Sequence, residues 1–371
     1  MRIALNLLFL IPGVVGGTQT YATGLMRGLA EIDTENEYCV FLNREAADLE
    51  LPQAANFRRI VCPVRATRRE RRYAWEQGRL PWQLRACRAD LVHSLGYVGP
   101  LFAPCPQVVT IHDMNYLAVP EEVASVRQKA LQLLVAQTAR RSAHIVAVSE
   151  FSRREIERYL GIARDRITVT HEGPRDLTAS AEPWSALVER YGLERPYLIA
   201  FSSPFLHKNI PRLIEAFARL RAEVPHDLAL VGHAPEGQNL HAEIEKRGVT
   251  ERVRVTGYVP DAHVMPLLAH ADLFVFPSWY EGFGLPILDA QRAGVAVAAS
   301  TAASLPEVAG DGALYFDPTS VEEMAQTLRR ALLDAALREC LIAKGRANLS
   351  RFSWQQTAQK TLEVYTRFAA K

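Results

Sequence analysis

The chain has 371 residues, 49% hydrophobic and 23% charged, with a formal net charge of +2 and no low-complexity tract. That length exceeds one ordinary hydrophobic core and predicts two domains. The near balance of charge gives no general affinity for nucleic acid, and no nucleic-acid partner is expected. Five cysteines (Cys39, Cys62, Cys87, Cys105, Cys340) are odd in number and never spaced Cys-x-x-Cys. They predict reduced thiols and argue against a disulfide frame or a zinc ribbon. No apolar run approaches the ~18 residues of a membrane-spanning helix.

Ile3–Leu8 reads as a first buried strand. Ile3–Ile11 also has the length of a signal-peptide core, but only Arg2 precedes it and no small-x-small cleavage site follows. The strand is the better account. Gly16 and Gly17 then open an amphipathic helix. Bare backbone there suits the approach of a diphosphate or sugar, and equally suits a tight turn that binds nothing. The pattern falls short of Gly-x-Gly-x-x-Gly. Tyr38–Leu42 and Arg58–Cys62 are further strands. Residues 65–88 carry eight arginines with Trp75 and Trp82 interleaved. One reading is an interfacial segment on anionic lipid. The commoner one is a solvated helix face whose tryptophans pack inward.

Asp90–Leu95 and Val108–Ile111 read as buried strands, the second running into His112 and Asp113. Site residues of open α/β sheets gather at the carboxyl ends of strands, although a lone histidine is more often structural. His93, inside a strand, keeps that structural reading. Val126–Ser142 is expected as a helix, followed by the strand HIVAVS and the helix SEFSRREIERYL. There Ser149 and Glu150 fit either helix caps or site residues. Ile167–Thr170 ends the first half, and HEGPRDLTASAEPW (171–184), with one glycine and two prolines, is the linker candidate.

The second half opens with strand, loop and helix in YLIAFSSPFLHKNIPRLIEAFARL. Lys208 lies just ahead of Asn209 and Pro211, where a diphosphate would meet both a cation and N–H donors. Asp227–Val231 and Arg252–Thr256 are strands, and so is Leu273–Phe276, which stops at Pro277. The loop SWYEGFGL follows; Pro286 then suits a first helical turn and Gly294 a stop. Glu281 falls in the loop and Asp289 within about the first turn. Gly282 and Gly284 leave N–H groups uncovered at a positive helix end, which favours an anionic or polyhydroxylated ligand. Val295–Ala299 is the next strand; Ser304–Val308 and a Gly310–Gly312 turn follow it. Val321–Leu333 and Ala335–Asn348 are helices, and RFSWQQTAQKTLEVYTRF closes the chain with another. No Asp-x-Asp pair or His/Cys cluster points to a metal site.

The run PSWYEGFGLPILDA…VAAS…SLPEVAGDGALYFDP resembles the donor-binding signature of glycosyltransferase family 4, and family-like motifs follow in order over nearly the whole chain. The resemblance implies an α/β GT-B fold: two Rossmann-like doubly wound domains facing a central cleft. Residues 1–173 would form the acceptor side and 174–352 the nucleotide-sugar side, with the terminal helix 353–371 crossing back to the first. It implies a retaining glycosyltransferase, most like bacterial mannosyltransferases of surface polysaccharide assembly. GDP-mannose is then the first donor to consider, and the acceptor a saccharide or lipid-linked saccharide. The nucleotide-diphosphate sugar is a co-substrate; no cofactor and no metal is expected. A cytoplasmic location is expected, with peripheral contact with the inner face of an anionic cell membrane if the arginine-rich stretch is interfacial.

The resemblance also assigns residues. His112, in TIHD, would support the sugar near the reacting carbon, and Lys208 would meet the diphosphate. Glu281, with Gly282 and the N–H groups of Phe283, Gly284 and Leu285, would hold sugar hydroxyls. Asp289 would reach the ribose. Gly16 and Gly17 would lie in the cleft, main-chain groups of Tyr258 and Val259 against the base, and Asp113 and Tyr21 on the acceptor side. Phe352 and Trp354 would anchor the returning helix, and the WEQ…LP segment belongs to the fold, which turns Trp75 inward. Two donor positions depart from the family. Asp289 replaces a second glutamate, and Ser202 stands where some members carry arginine, so Lys208 would bear more of the phosphate charge. The implied chemistry is front-face substitution stabilised by preorganised electrostatics, with no protein nucleophile. Two alternatives stand beside it: a non-catalytic sugar-nucleotide-binding protein, and a phosphorylase or epimerase on the same fold.

Overall fold

The computed structural model describes residues 1–14, 16–118, 126–177, 181–203, 205–232 and 240–369. The chain forms two compact units, Met1–Gly173 with Phe352–Lys371, and Pro174–Arg351. Of the linker read at 171–184, residues 178–180 lie outside the described residues.

The first unit holds a seven-stranded sheet: β1 (Arg2–Leu7), β2 (Glu37–Leu42), β3 (Phe57–Val61), β4 (Leu91–Ser94), β5 (Gln107–Ile111), β6 (His144–Ala147) and β7 (Ile167–Val169). Their order is 3-2-1-4-5-6-7, and every pairing is parallel. The central strands are buried on both faces, which is why they read as continuous apolar runs. β3 lies at an edge and exposes Arg58 and Arg59, charges that discourage pairing with another sheet. The helix Gly17–Ile32 buries Tyr21, Ala22, Leu25, Met26 and Leu29 along one face. The terminal helix Trp354–Phe368 packs against it at close range. A Cβ on Gly28 would sit 2.3 Å from the Trp354 carbonyl oxygen, so only glycine permits this approach.

The arginine-rich stretch forms two short helices, Arg69–Gly78 and Leu80–Ala86. Trp75 packs against the core beside Leu80 and Leu84 and its Nε1 donates to Gln83 Oε1 at 3.3 Å. Trp82 breaks the inward expectation. The chain restarts its helix at Arg79, which turns Leu80 and Leu84 to the core and leaves Trp82 66% exposed.

The second unit holds six parallel strands, β8 (Tyr197–Ser202), β9 (Asp227–Gly232), β10 (Val253–Gly257), β11 (Leu273–Phe276), β12 (Ala296–Ser300) and β13 (Ala313–Phe316). Their order is 10-9-8-11-12-13. β13 is missing from the strands read along the sequence; it is four residues long and is created by its pairing with β12. The strand order reverses between β8 and β11, so the loops leaving their carboxyl ends diverge. In doubly wound sheets that is where ligands bind.

Candidate active site

Both loops at this reversal carry charge. After β8 the chain makes a tight turn, Leu206–Lys208, before the helix Ile210–Leu220. Asn209 bridges them in the left-handed region at φ +59°, where a short polar side chain is tolerated. After β11 comes the glycine loop, then the helix Leu285–Ala293, with Gly284 at φ +105° before it and Gly294 at φ +76° after it. Lys208 Nζ donates to Glu281 Oε1 at 2.7 Å, with the two side chains 19% and 14% exposed. The Lys208 ammonium also lies over the Phe276 ring, 5.4 Å from its centroid.

The glycine loop is held from four directions. Asn209 Nδ2 donates to the carbonyls of Pro277 and Pro318 at 3.0 and 2.9 Å. The Trp279 N–H donates to the His207 carbonyl at 3.0 Å. Ser300 Oγ donates to the Ser278 carbonyl at 2.5 Å. The Ser304 hydroxyl sits between the Glu281 and Phe283 carbonyls at 2.9 and 2.7 Å. Such contacts fix a loop before a ligand arrives. Sequence reading passed over Asn209, Ser300 and Ser304, whose only signal is a polar residue within a buried stretch.

Asp289 lies about one turn into its helix, as its fifth residue, but its side chain is 0% exposed. Arg175 Nε donates to Asp289 Oδ2 at 2.7 Å, while Oδ1 is buried with no hydrogen-bond partner among the described residues. Burial pushes the Asp289 carboxyl above its ordinary pKa, and Arg175 opposes that shift. Arg175 comes from the stretch read as linker, and no local signal marked it.

The other donor-side candidates are spread over the same unit. Ser202 ends β8 and is buried, as are Gly282, Phe283 and Leu285 in the glycine loop. Tyr258 is exposed and Val259 buried just after β10, two places from β8 in the sheet.

In the first unit β5 delivers His112. Its Nε2 lies 2.9 Å from the Leu95 carbonyl. A carbonyl can only accept, so Nε2 carries the proton. Nδ1 faces Glu172 Oε1 at 3.7 Å. Glu172 is buried, which raises its carboxyl pKa, while His112 lowers it. The Tyr21 ring meets the imidazole edge-on at 4.9 Å, and Ser152 Oγ donates to the His112 carbonyl at 2.7 Å.

Tyr21 requires a correction. It is fully buried, 3.1 Å from Thr110 Oγ1 and edge-on to Trp354. It therefore supports His112 from behind and faces no acceptor. Asp113 Oδ1 accepts from the Asn115 N–H at 3.1 Å. Gly16 adopts φ +52° ahead of the helix that Gly17 begins, with open space where a Cβ would stand. His93 is buried between Tyr365 Oη at 2.6 Å and Thr110 Oγ1 at 2.8 Å, and burial lowers its pKa to about 3, so it is a neutral structural group. Among the described residues no group of three or more His, Cys, Asp or Glu is placed to hold a metal ion.

Two doubly wound parallel sheets, one ending in a charged glycine loop at its switch point, define the GT-B class of glycosyltransferases. The fold is matched by sucrose-phosphate synthase from Thermosynechococcus elongatus with a TM-score of 0.78 and 18% identity, over 99% of this chain and 98% of that one. A family model described as Glycosyltransferase Family 4 matches residues 15–174, and one described as Glycosyl transferases group 1 matches 188–348. The O-antigen chain mannosyltransferase B of Escherichia coli is 32% identical over 293 residues, 77% of each chain. The serotype-specific mannosyltransferase WbdA of Escherichia coli is 33% identical over 232 residues, 60% of this chain but 28% of that relative's length. The chain belongs to glycosyltransferase family 4, and it is a glycosyltransferase enzyme.

Proposed function

We propose that this enzyme is a retaining mannosyltransferase that takes mannose from GDP-mannose and passes it to a saccharide or lipid-linked saccharide during surface polysaccharide assembly. The Lys208–Glu281 pair at the switch point of the second sheet carries this reading. With no ligand bound, each side chain neutralises the other. When the donor binds, Lys208 exchanges its carboxylate partner for the diphosphate and Glu281 turns to the sugar hydroxyls. The N–H groups of Phe283, Gly284 and Leu285 add donors at the positive end of their helix. The bond from the anomeric carbon to the phosphate oxygen then breaks. The acceptor oxygen bonds to that carbon on the same face, and its proton passes to the departing nucleoside diphosphate. We assign His112 Nδ1 to a hydrogen bond with the transferred sugar, the imidazole being oriented by the Nε2–H bond to the Leu95 carbonyl. Similarity to the two Escherichia coli mannosyltransferases supports mannose as the sugar.

The reaction needs no divalent cation on this reading. Transfer should persist in EDTA, and a loss restored by Mg²⁺ or Mn²⁺ would refute that. We place the enzyme at the inner face of an anionic membrane. Arg65, Arg68, Arg69, Arg71, Arg79, Arg85 and Arg88 are all exposed, as are Trp82 and Phe102, and no described helix is long and apolar enough to cross a membrane. The deciding experiment follows transfer from GDP-, UDP- and ADP-hexoses, with the anomeric configuration of the product read by NMR. GDP should also raise the melting temperature more than UDP or ADP, since a ligand selective for the folded state stabilises it. Transfer from a UDP-sugar alone would overturn the donor, and an inverted product would overturn the mechanism.

A further inference from the structure

Asp289 stands where the family signature carries a second glutamate, yet its carboxylate is sealed. Arg175 covers it, and the Arg175 side chain is 23% exposed while that of Asp289 is 0% exposed. The guanidinium is fixed by one hydrogen bond, Nε to Asp289 Oδ2 at 2.7 Å, with its NH1 4.0 Å from the exposed Asp261 Oδ1; the Arg175 main-chain carbonyl accepts from Arg292 NH1 at 2.7 Å. A guanidinium offers five N–H donors in a rigid fork, and the Asp289 bond uses one of them. Asp289 is 0% exposed and so can bear on a ligand only through Arg175, the partly exposed member of the pair.

We propose that Arg175 is the residue that contacts the nucleotide part of the donor here, with Asp289 as its positioning residue. This inference rests on the donor reading of the second unit. Its ligand chemistry is an oxygen acceptor of a nucleoside diphosphate, on the ribose or on the diphosphate. The two departures from the family pattern then compensate each other. Ser202 removes a cation that some members carry, and Arg175 supplies one from the first residues of the unit's chain. The shorter aspartate leaves room for a guanidinium above it, where a glutamate would reach outward itself.

The test measures GDP and UDP affinity by calorimetry for Arg175→Ala, Arg175→Lys, Asp289→Asn and the double variant Arg175→Ala/Asp289→Asn. Loss of charge-assisted hydrogen bonds in Arg175→Ala should weaken binding about ten- to a hundredfold. Arg175→Lys should recover only part of it, because lysine lacks the fork. Asp289→Asn should weaken binding in the parent and have almost no further effect once Arg175 is gone, since it acts through Arg175. Parental or tighter binding by Arg175→Ala would overturn the proposal and make Arg175 a plug that the ribose displaces. Arg175→Ala alone leaves an uncompensated buried carboxylate and risks misfolding. The double variant removes both charges, and parental affinity there overturns the proposal equally. Comparing guanosine with GDP separates the two sources: an equal loss places the fork on the ribose, a loss seen only with GDP on the diphosphate. Lys208→Ala, measured alongside, tells the two failures apart. If it weakens binding and Arg175→Ala does not, only the Arg175 assignment falls. If neither does, the donor site itself is misplaced.

Discussion

Replacing Glu281 by glutamine separates two things the carboxylate does. In the ligand-free protein it neutralises Lys208 at 2.7 Å, with both side chains more than four-fifths covered. Glutamine keeps an oxygen within reach of Nζ, so the ion pair becomes a charged–neutral hydrogen bond. Unit charges about 4 Å apart attract by about 1 kcal/mol in water and about 4 kcal/mol near a protein surface. Because an acceptor remains, the cost to folding should be about 1–2 kcal/mol, below the 3–5 kcal/mol typical of breaking a fully buried pair. For a domain of this size that lowers Tm by roughly 2–8 °C. Turnover should fall much further, by about a hundred- to a thousandfold, because a preorganised group aimed at the reacting sugar is lost. GDP lacks the sugar, so its affinity should hold or rise slightly as Lys208 is released. Lys208→Ala should show the opposite pattern, with GDP weakened about ten- to a hundredfold. Initial rates at saturating donor, GDP calorimetry and melting curves measure the three effects separately. Parental turnover in Glu281→Gln would refute the argument. So would a loss of GDP affinity equal to that of Lys208→Ala, which would reduce Glu281 to a holder of the lysine.

Glu76 is buried near Arg72 and Asn6, and burial raises its pKa to about 7. A raised carboxyl contributes stability below its unfolded pKa that is lost as pH climbs through 7. Glu76→Gln should therefore gain up to about 3 kcal/mol on its parent between pH 5 and pH 8, and an equal urea midpoint difference at both pH values would refute this. Gly28→Ala drives a methyl against the Trp354 carbonyl oxygen and should cost about 1–3 kcal/mol by overpacking; an unchanged melting temperature would contradict the described packing. Co-sedimentation with phosphatidylglycerol vesicles should weaken with salt and fall in Trp82→Ala and in Arg79→Ser/Arg85→Ser, and salt-independent binding or none would return this stretch to a solvated surface.

Much of the architecture was legible because it is local. β11 was read to the residue, since an apolar run that stops at a proline is a complete signal for a buried strand. The helix after it was bounded by Pro286 and Gly294, two residues whose backbone preferences act within one turn. That placed Glu281 in a strand-to-helix loop, and the same reasoning set Lys208 ahead of its helix and His112 at the end of β5. What the tertiary structure alone decided are the partners. Lys208 and Glu281 lie 73 positions apart, Arg175 and Asp289 114. Glycine and proline marked 171–184 as a linker, yet Glu172 and Arg175 within it are the groups that face His112 and Asp289. Tyr21 looked available beside a glycine loop until the terminal helix brought Trp354 against it. Periodicity and turn chemistry report the conformation of a few neighbouring residues. Burial and charge pairing depend on which distant segments the strand order brings together, and that order is written nowhere locally in the chain.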